Sequence, residues 1–365
     1  MQFKKRQEKV QQEVKSRDLK ALMVFSAEDI YYFSGFYAHT PWYPADLYRL
    51  SPVIVRAAGD PLHVTGLVNT LRVERMGAIK NVIGHNEFLE NTVEFLAGVL
   101  KKHDLDKGRI GFDDKKVVSN TIAALSERCP QIEWVPSSDI MYQVRAIKEP
   151  DELALLHRAC EINRAGLAAA VAAVKPGLPE IAVAAEAEYA MRRKGAQRFT
   201  EETMVLSGRE RCSHTRERAS DKIIEDGECV IVDMGAIFKG YCSDMATTTF
   251  AGKPSPAMKE LFDKAAEIQQ RTVDMIKPGV RANEVDAFAR EQYANVGIKG
   301  AHLPHMVGHG VGLEFHEIPL LVPSQDIVIQ QNMVFTVEPA VRVPELGAIR
   351  FEEVYRVTDE GVVKA

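Results

Sequence analysis

An internal repeat in the second half of this 365-residue sequence restricts its fold more than any other feature. Residues 174–177 (VKPG) return as residues 276–279 (IKPG), 102 positions later. At the same offset, without gaps, four further residues match: Val183, Ala185, Ala187 and Gly195 align with Val285, Ala287, Ala289 and Gly297. Proline and glycine end helices, so each copy predicts a helix that stops at Lys-Pro-Gly and a second helix closed by its own glycine. The repeat therefore predicts two related halves.

Each predicted helix pair is followed by a strand-turn-strand segment that carries two acidic residues. The first segment, residues 229–250, has Asp233 on one arm and Asp244 on the other, around a turn at Lys239-Gly240. The second segment, residues 332–357, has Glu338 and Glu352 in the same arrangement. One such acid could cap a turn or pair with arginine. Four acids in apolar strands predict a bound cation, because a buried carboxylate without a partner is unfavourable.

Histidines cluster in the same half of the sequence. Four of the ten lie within 15 residues: His302, His305, His309 and His316. His309 lies in a predicted glycine-rich turn, residues 308–312 (GHGVG), where the backbone can approach a neighbouring strand or ligand closely. Carboxylates with one histidine suit Mn²⁺, Co²⁺, Fe²⁺ or Zn²⁺ rather than a thiolate zinc site. The sequence therefore predicts a catalytic metal centre.

The first part of the sequence reads as a small α/β domain. Helices are predicted at 4–17, 91–101 and 120–128, and extended segments at 21–25, 30–36, 52–56, 62–65 and 109–112. A polar stretch at Val144–Asp151 then precedes a long alanine-rich helix over Glu152–Val174. We therefore predict domains at residues 1–146 and 147–365.

Composition narrows the function classes. The chain has 46 Lys and Arg against 51 Asp and Glu, without the basic excess that is typical of nucleic-acid binders. Its apolar runs are shorter than the roughly 20 residues that span a bilayer, and Met1–Lys15 has no apolar signal segment. The five cysteines form no CxxC pair, and no strand is followed by GxGxxG. We expect a cytoplasmic protein without nucleic-acid or membrane partners.

Together, these motifs resemble a known family. VDMGAIFKGYCSD, GHGVGLEFHE, FTVEPAV and GAIRFEEV resemble the five-ligand dinuclear site of the pita-bread metallopeptidases, which include methionine aminopeptidase, aminopeptidase P and prolidase. The resemblance covers the chain from about Ile147 onward. The N-terminal segment YYFSGF at 31–36 resembles the cap domain of the prolidase and aminopeptidase P branch, also called creatinase-like. The implied fold is an α/β N-terminal cap domain plus an α+β pita-bread C-terminal domain with an internal pseudo-twofold repeat.

The resemblance also implies roles for individual residues. Asp233 would bind one divalent ion, Asp244 and Glu352 would bridge two, and His309 and Glu338 would bind the second. Two such ions, with Mn²⁺ expected ahead of Co²⁺, Zn²⁺ or Fe²⁺, would lower the pKa of a bridging water, and the resulting hydroxide would attack the substrate carbonyl. The implied catalytic residues are the general base Glu338 and the outer histidines His214, His305 and His316. Arg350 would either orient a ligating carboxylate or form an ordinary cross-strand ion pair.

The implied function is hydrolysis of Xaa-Pro dipeptides, or of short peptides with proline second, by a homodimer. Two alternatives stay open: a pita-bread enzyme for small ectoine-, creatine- or dimethylsulfoniopropionate-type molecules, and a non-catalytic binding module. Departures from the family pattern bear on the substrate: a loop longer by about two residues at His214–Asp221, no arginine within 245–249, and Ala340 after Glu338-Pro339. Residues 40–44 (TPWYP) could reach a partner's site or pack locally.

Overall fold

The computed structural model describes residues 2–37, 51–117, 119–213, 217–298 and 300–365. These residues form two compact units, Met1–Arg145 and Ala146–Ala365. The aromatic segment 40–44 lies outside the described residues. Within the described ranges, no helix has both the length and the apolar content needed to cross a bilayer.

The first unit contains one mixed sheet with helices between its strands. Its elements in chain order are α1 Phe3–Ser16, β1 Ala21–Val24, α2 Ala27–Ser34, β2 Val53–Arg56, β3 Leu62–Gly66, α3 Leu67–Met76, β4 Asn81–His85, α4 Thr92–Lys102, β5 Lys107–Phe112, α5 Ser119–Arg128, β6 Gln131–Pro136 and α6 Ser138–Ala146. The strand order is β4-β3-β2-β1-β5-β6. Strands β1 and β2, and β2 and β3, are antiparallel, whereas the other neighbours are parallel. Apolar residues of β1 and β5 pack with Leu96 and Leu100 of α4 in one core.

One predicted element of this unit is wrong. Residues 30–36 are predicted as extended, but they lie mostly in helix α2. The Ser26 side chain caps this helix by accepting a hydrogen bond from the Asp29 backbone at 3.1 Å, and Gly35 ends it at φ +70°. These caps outweigh the β propensity of the aromatic residues between them. No prediction was made for α3, β4, β6 or α6. Apart from α2, the other elements of this unit begin and end within two residues of their predicted bounds.

The second unit has two helix pairs and several antiparallel sheets. Its elements are α7 Pro150–Ala173, α8 Glu180–Lys194, β7 Arg198–Phe199, β8 Met204–Ser207, α9 Gly208–Cys212, β9 Cys229–Met234, β10 Ala236–Phe238, β11 Tyr241–Cys242, β12 Met245–Phe250, α10 Pro256–Asp274, α11 Ala282–Ala294, β13 Gly308–Gly310, β14 Glu317–Leu321, β15 Val334–Val337, β16 Val341–Val343, β17 Gly347–Ile349, β18 Glu353–Val357 and β19 Val362–Lys364. The sheet orders are β12-β9-β8, β14-β13-β15-β18-β19, β11-β10-β7 and β16-β17.

The predicted repeat is present in the backbone hydrogen bonds of this unit. The Gly177 N–H donates to the Ile224 carbonyl at 2.9 Å, and in the second copy the Gly279 N–H donates to the Ile329 carbonyl at 3.0 Å. Both glycines have positive φ, at +88° and +95°, which residues with a side chain rarely adopt. The two helix pairs therefore join their following segments in the same way, and the predicted pseudo-twofold fold is confirmed.

Asp113 is a buried acid in the first unit. Its Oδ2 accepts hydrogen bonds from the backbone N–H groups of Phe25 at 2.8 Å and Ser26 at 3.2 Å. Its Oδ1 has no hydrogen-bond partner among the described residues. Burial, with a smaller contribution from nearby Asp29, raises the pKa of Asp113 to about 8. The folded unit therefore holds a proton that the unfolded chain releases near pH 4.

We expect the stability of the first unit to fall as pH rises from about 4 to 8. Asp113→Asn keeps an acceptor for both N–H groups but cannot ionise, so it should remove this slope, which is at most about 1.4 kcal/mol per pH unit. Both tryptophans of the sequence, Trp42 and Trp134, fall within residues 1–145, so urea unfolding followed by tryptophan fluorescence monitors this part of the chain. An unchanged pH slope in Asp113→Asn would contradict the assignment.

Candidate metal centre

Strand pairing brings the four predicted acids together. Asp233 lies on β9 opposite Ala246 of β12, and Ala246 bridges to Glu352 on its other side. Asp244 directly precedes β12, and Glu338 directly follows β15. All four acids are buried, with 3–7% of their surface exposed. The two hairpins therefore place their carboxylates in one region, although the acids are far apart in sequence.

His309 reaches the same region from a strand rather than from the predicted turn. It lies at the centre of β13, and its N–H donates to Thr336 Oγ1 at 3.2 Å. A Cβ atom at Gly308 would contact the Thr336 carbonyl, and one at Gly310 would contact the Ile318 carbonyl. The turn prediction was therefore wrong, but the two glycines do permit the expected close approach of neighbouring backbones.

The imidazole of His309 faces three carboxylates. Its Nδ1 lies 3.1 Å from the Gly310 carbonyl, which places the ring proton on Nδ1. Its Nε2 lies 3.5 Å from Asp244 Oδ2, 3.5 Å from Glu338 Oε1 and 3.8 Å from Glu352 Oε1. Burial lowers the His309 pKa to about 3, so the ring is neutral. A lone pair that faces three acidic groups is the arrangement that a bound cation stabilises.

The carboxylates themselves have unused oxygen atoms. Among the described residues, Asp233 Oδ1, Asp244 Oδ1 and Glu352 Oε1 are buried and accept no hydrogen bond. Burial raises the pKa of all four acids, that of Glu338 to about 8. Three sets of three residues could each hold an ion, because within each set one donor atom per residue lies within 4.8 Å of the other two. The sets are Asp244, His309 and His316; His309, Glu338 and Glu352; and Glu201, Asp233 and Asp244. This oxygen-rich donor set fits divalent metal ions.

Arg350 pairs with one of these acids. Its Nη1 donates to Asp233 Oδ2 in a short, buried contact. Its backbone N–H donates to Thr248 Oγ1 at 2.9 Å, and the Thr248 hydroxyl donates to the Arg350 carbonyl at 2.8 Å. Burial alone would lower the Arg350 pKa, but the surrounding carboxylates outweigh it and raise the pKa. The cross-strand ion pair is therefore present, and its acid is a predicted ligand.

His305 lies beside Glu338. Its Nδ1 is 2.6 Å from the Met306 carbonyl and 3.8 Å from Glu338 Oε2, and its Nε2 is buried without a hydrogen-bond partner in the described ranges. Burial lowers the His305 pKa to about 4, so the ring is neutral near pH 7. With the proton on Nδ1, the Nε2 atom presents a lone pair and accepts rather than donates a hydrogen bond.

His316 is exposed and borders the same region. Its ring lies 3.9 Å from the His309 ring, centre to centre, and stacks on Phe315 at 4.2 Å. The structure thus brings His305 and His316 to the predicted ligands. His214, the third outer histidine of the prediction, lies outside the described residues.

These side chains line a cavity of about 600 Å³, which also contains residues that sequence reasoning missed. The missed residues are Glu201, Met204, Arg218, Met306 and Phe315. Strand register could have identified Met204, because it lies opposite Asp233. Glu201 and Arg218 lie in irregular segments, where no periodic pattern indicates which side chains face a site.

Comparison with known proteins agrees with this geometry. Residues 154–359 match metallopeptidase family M24, and residues 6–147 match the creatinase/prolidase N-terminal domain. The chain is 37% identical to the uncharacterized peptidase YqhT of Bacillus subtilis over 253 residues, which are 69% of this chain and 71% of that protein. It is 36% identical to a Xaa-Pro dipeptidase of Pyrococcus furiosus over 229 residues, which are 63% of this chain and 65% of that protein.

A solved structure extends the similarity to nearly the whole chain. The Xaa-Pro dipeptidase from Bacillus anthracis superposes with a TM-score of 0.89 at 27% identity, covering 99% of this chain and 97% of that one. The predicted branch and fold class are therefore confirmed. The chain belongs to metallopeptidase family M24 and is a metal-dependent peptidase with an N-terminal domain of the creatinase/prolidase type.

Proposed function

We propose that this metallopeptidase is a dinuclear exopeptidase that hydrolyses Xaa-Pro dipeptides and short peptides with proline in second position. The observation that carries the proposal is the His309 Nε2 atom, which faces three carboxylates at 3.5–3.8 Å. The names of the relatives from Pyrococcus furiosus and Bacillus anthracis support the substrate class. The non-catalytic alternative is disfavoured, because every predicted ligand side chain is present.

We propose two divalent ions, with Mn²⁺ ahead of Co²⁺, Zn²⁺ and Fe²⁺. Asp233, Asp244, His309, Glu338 and Glu352 would hold them. With Arg350 paired to Asp233, the four ionised carboxylates leave a net charge of three, which is more than one divalent ion balances. When bound, the ions supply the Lewis acidity that generates a nucleophile from water at neutral pH and polarises the scissile carbonyl.

Glu338 is the proposed proton carrier. Burial raises its pKa to about 8, and positive charge held in the same cluster lowers that value, so the carboxylate can accept a proton near neutral pH. Once protonated, Glu338 can deliver this proton to the leaving proline nitrogen. The neutral His305 beside it cannot donate from Nε2, so we assign the Nε2 atom of His305 the role of accepting a hydrogen bond from the substrate.

The remaining outer histidines are proposed substrate contacts. His316 is exposed to the cavity and supported by Phe315, so its ring can contact the substrate near His309. His214 is proposed for the same function on the leaving side of the scissile bond. Proline suits this site because its tertiary amide has no N–H to satisfy, and Met306 and Phe315 offer apolar surface to its ring.

We further propose a cap domain at residues 1–146 and a catalytic domain at 147–365. The division of the structure after Arg145 supports these bounds. We also propose that the protein is a homodimer and that it is cytoplasmic.

The function is tested by assaying the Mn²⁺-, Co²⁺- or Zn²⁺-loaded enzyme on Xaa-Pro dipeptides, tripeptides with proline second, longer peptides and ectoine-type amides. We expect cleavage of the dipeptides and tripeptides, weak cleavage of longer chains, and no activity after chelation. Glu338→Gln is the inactive control, since it keeps side-chain volume but removes the proposed proton carrier. Turnover of small non-peptide amides alone would favour the non-peptide alternative, and a metal-loaded protein inactive on every substrate would favour the binding module.

Arg218 supplies a cationic group that can bind the free carboxylate of the substrate. It lines the cavity and pairs at half-exposed surface with Glu202, whereas the other lining arginine, Arg350, is buried against Asp233. An exposed ion pair of this kind is weak and can exchange partners.

We expect Arg218→Met to raise KM about tenfold or more for an Xaa-Pro dipeptide and to change KM little for the same Xaa-Pro amide, which lacks the carboxylate. Glu202→Gln releases the arginine and should not raise KM for the dipeptide. Arg281→Met is the matched control, since Arg281 forms a comparable surface pair with Asp326 but does not line the cavity. Equal KM changes for dipeptide and amide would contradict this role.

A further inference from the structure

Lys148 and Glu317 form an ion pair buried inside the second unit. Lys148 Nζ donates to Glu317 Oε2 at 3.0 Å, and the two side chains are 1% and 6% exposed. The Lys148 backbone N–H also donates to the Asn332 carbonyl at 3.0 Å, which fixes the base of the side chain near β15. Burying two charges costs desolvation energy that their attraction only partly offsets, so stability alone does not account for this pair.

Glu317 uses its second carboxylate oxygen to close the turn before it. Its Oε1 accepts a hydrogen bond from the Glu314 backbone N–H at 3.2 Å. A Cβ atom at Gly312 would contact both carboxylate oxygens, so the carboxylate fills the space inside the turn. This turn carries Phe315 and His316, the two rings that stack on each other.

Glu317 also lies next to β13, the strand that contains His309. Gly310 pairs with Glu317, and the register between β13 and β14 shifts between His309 and Gly310. On its other side, the turn accepts a hydrogen bond at the Gly312 carbonyl from the Cys242 N–H at 2.8 Å. Lys148 therefore acts on this turn through Glu317. A shift of the turn would move His316 relative to His309.

We propose that Lys148 and Glu317 are a positioning pair, which sets the turn bearing His316 against His309 without binding substrate or metal. This inference rests on the proposed peptidase function. Removing one charge leaves the other buried without its partner, and the turn must then relax toward a new arrangement. The expected consequence is a slower reaction in an enzyme that still binds its metal.

The test uses Lys148→Met and Glu317→Gln in the full-length, Mn²⁺-loaded enzyme. Glu317→Gln keeps an acceptor for the Glu314 N–H, so it is the milder variant if Lys148→Met folds poorly. In each, kcat on an Xaa-Pro dipeptide should fall about tenfold or more, while KM and metal content change less than about twofold. Asp29→Asn is the matched control: it removes the negative charge from the buried Asp29–Arg145 pair of the first unit, whose N–O distance is 2.7 Å, and should lower stability with kcat within about twofold.

A second readout does not need activity. In Zn²⁺-loaded protein labelled with ¹³C-histidine, where the ion is diamagnetic, the Cε1–Hε1 resonance of His316, assigned with His316→Gln, should move in Lys148→Met and Glu317→Gln but not in Asp29→Asn. An unmoved resonance, an unchanged kcat, or loss of metal in these variants would overturn the positioning role. If the native enzyme cleaves no Xaa-Pro peptide, the proposed function fails, and the resonance alone then decides the positioning role.

Discussion

Mutual repulsion among four buried carboxylates is the physical constraint on which the second unit depends. Asp233, Asp244, Glu338 and Glu352 lie in an apolar interior, and burial raises the pKa of each. Arg350 offsets one of these charges, and the Nε2 atom of His309 adds a lone pair rather than a proton. Such a cluster is stable when ionised only if cations are bound, so the fold and the metal site are coupled.

The repeat explains how one chain builds such a cluster. Each copy ends in a hairpin with two acids in or directly beside its strands, and an isolated bridge between Ala246 and Glu352 joins the two copies. The carboxylates of both copies therefore meet where the copies adjoin. Neither half holds a complete donor set, because His309 comes from the second copy and Asp233 from the first. The site is thus a product of the whole unit.

Local sequence predicted the acids, their hairpins and the repeat, because alternating apolar residues and Lys-Pro-Gly stops are encoded within short windows. It failed at residues 30–36, where the caps at Ser26 and Gly35 outweigh aromatic β propensity. It also failed at β13, where the strand pairing of His309 depends on residues distant in sequence. The cavity residues Glu201 and Arg218 and the pair Lys148–Glu317 were missed for the same reason, since only the folded chain brings their partners together.

The central claim is that divalent ions hold these carboxylates together around His309. Anomalous diffraction from crystals of the Mn²⁺-loaded protein tests it most directly. Two anomalous peaks per chain are expected, one beside Asp233 and one beside His309 and Glu338, with Asp244 and Glu352 contacting both. A Mn²⁺-soaked crystal without a peak among these five residues, or with peaks only elsewhere on the chain, would contradict the account.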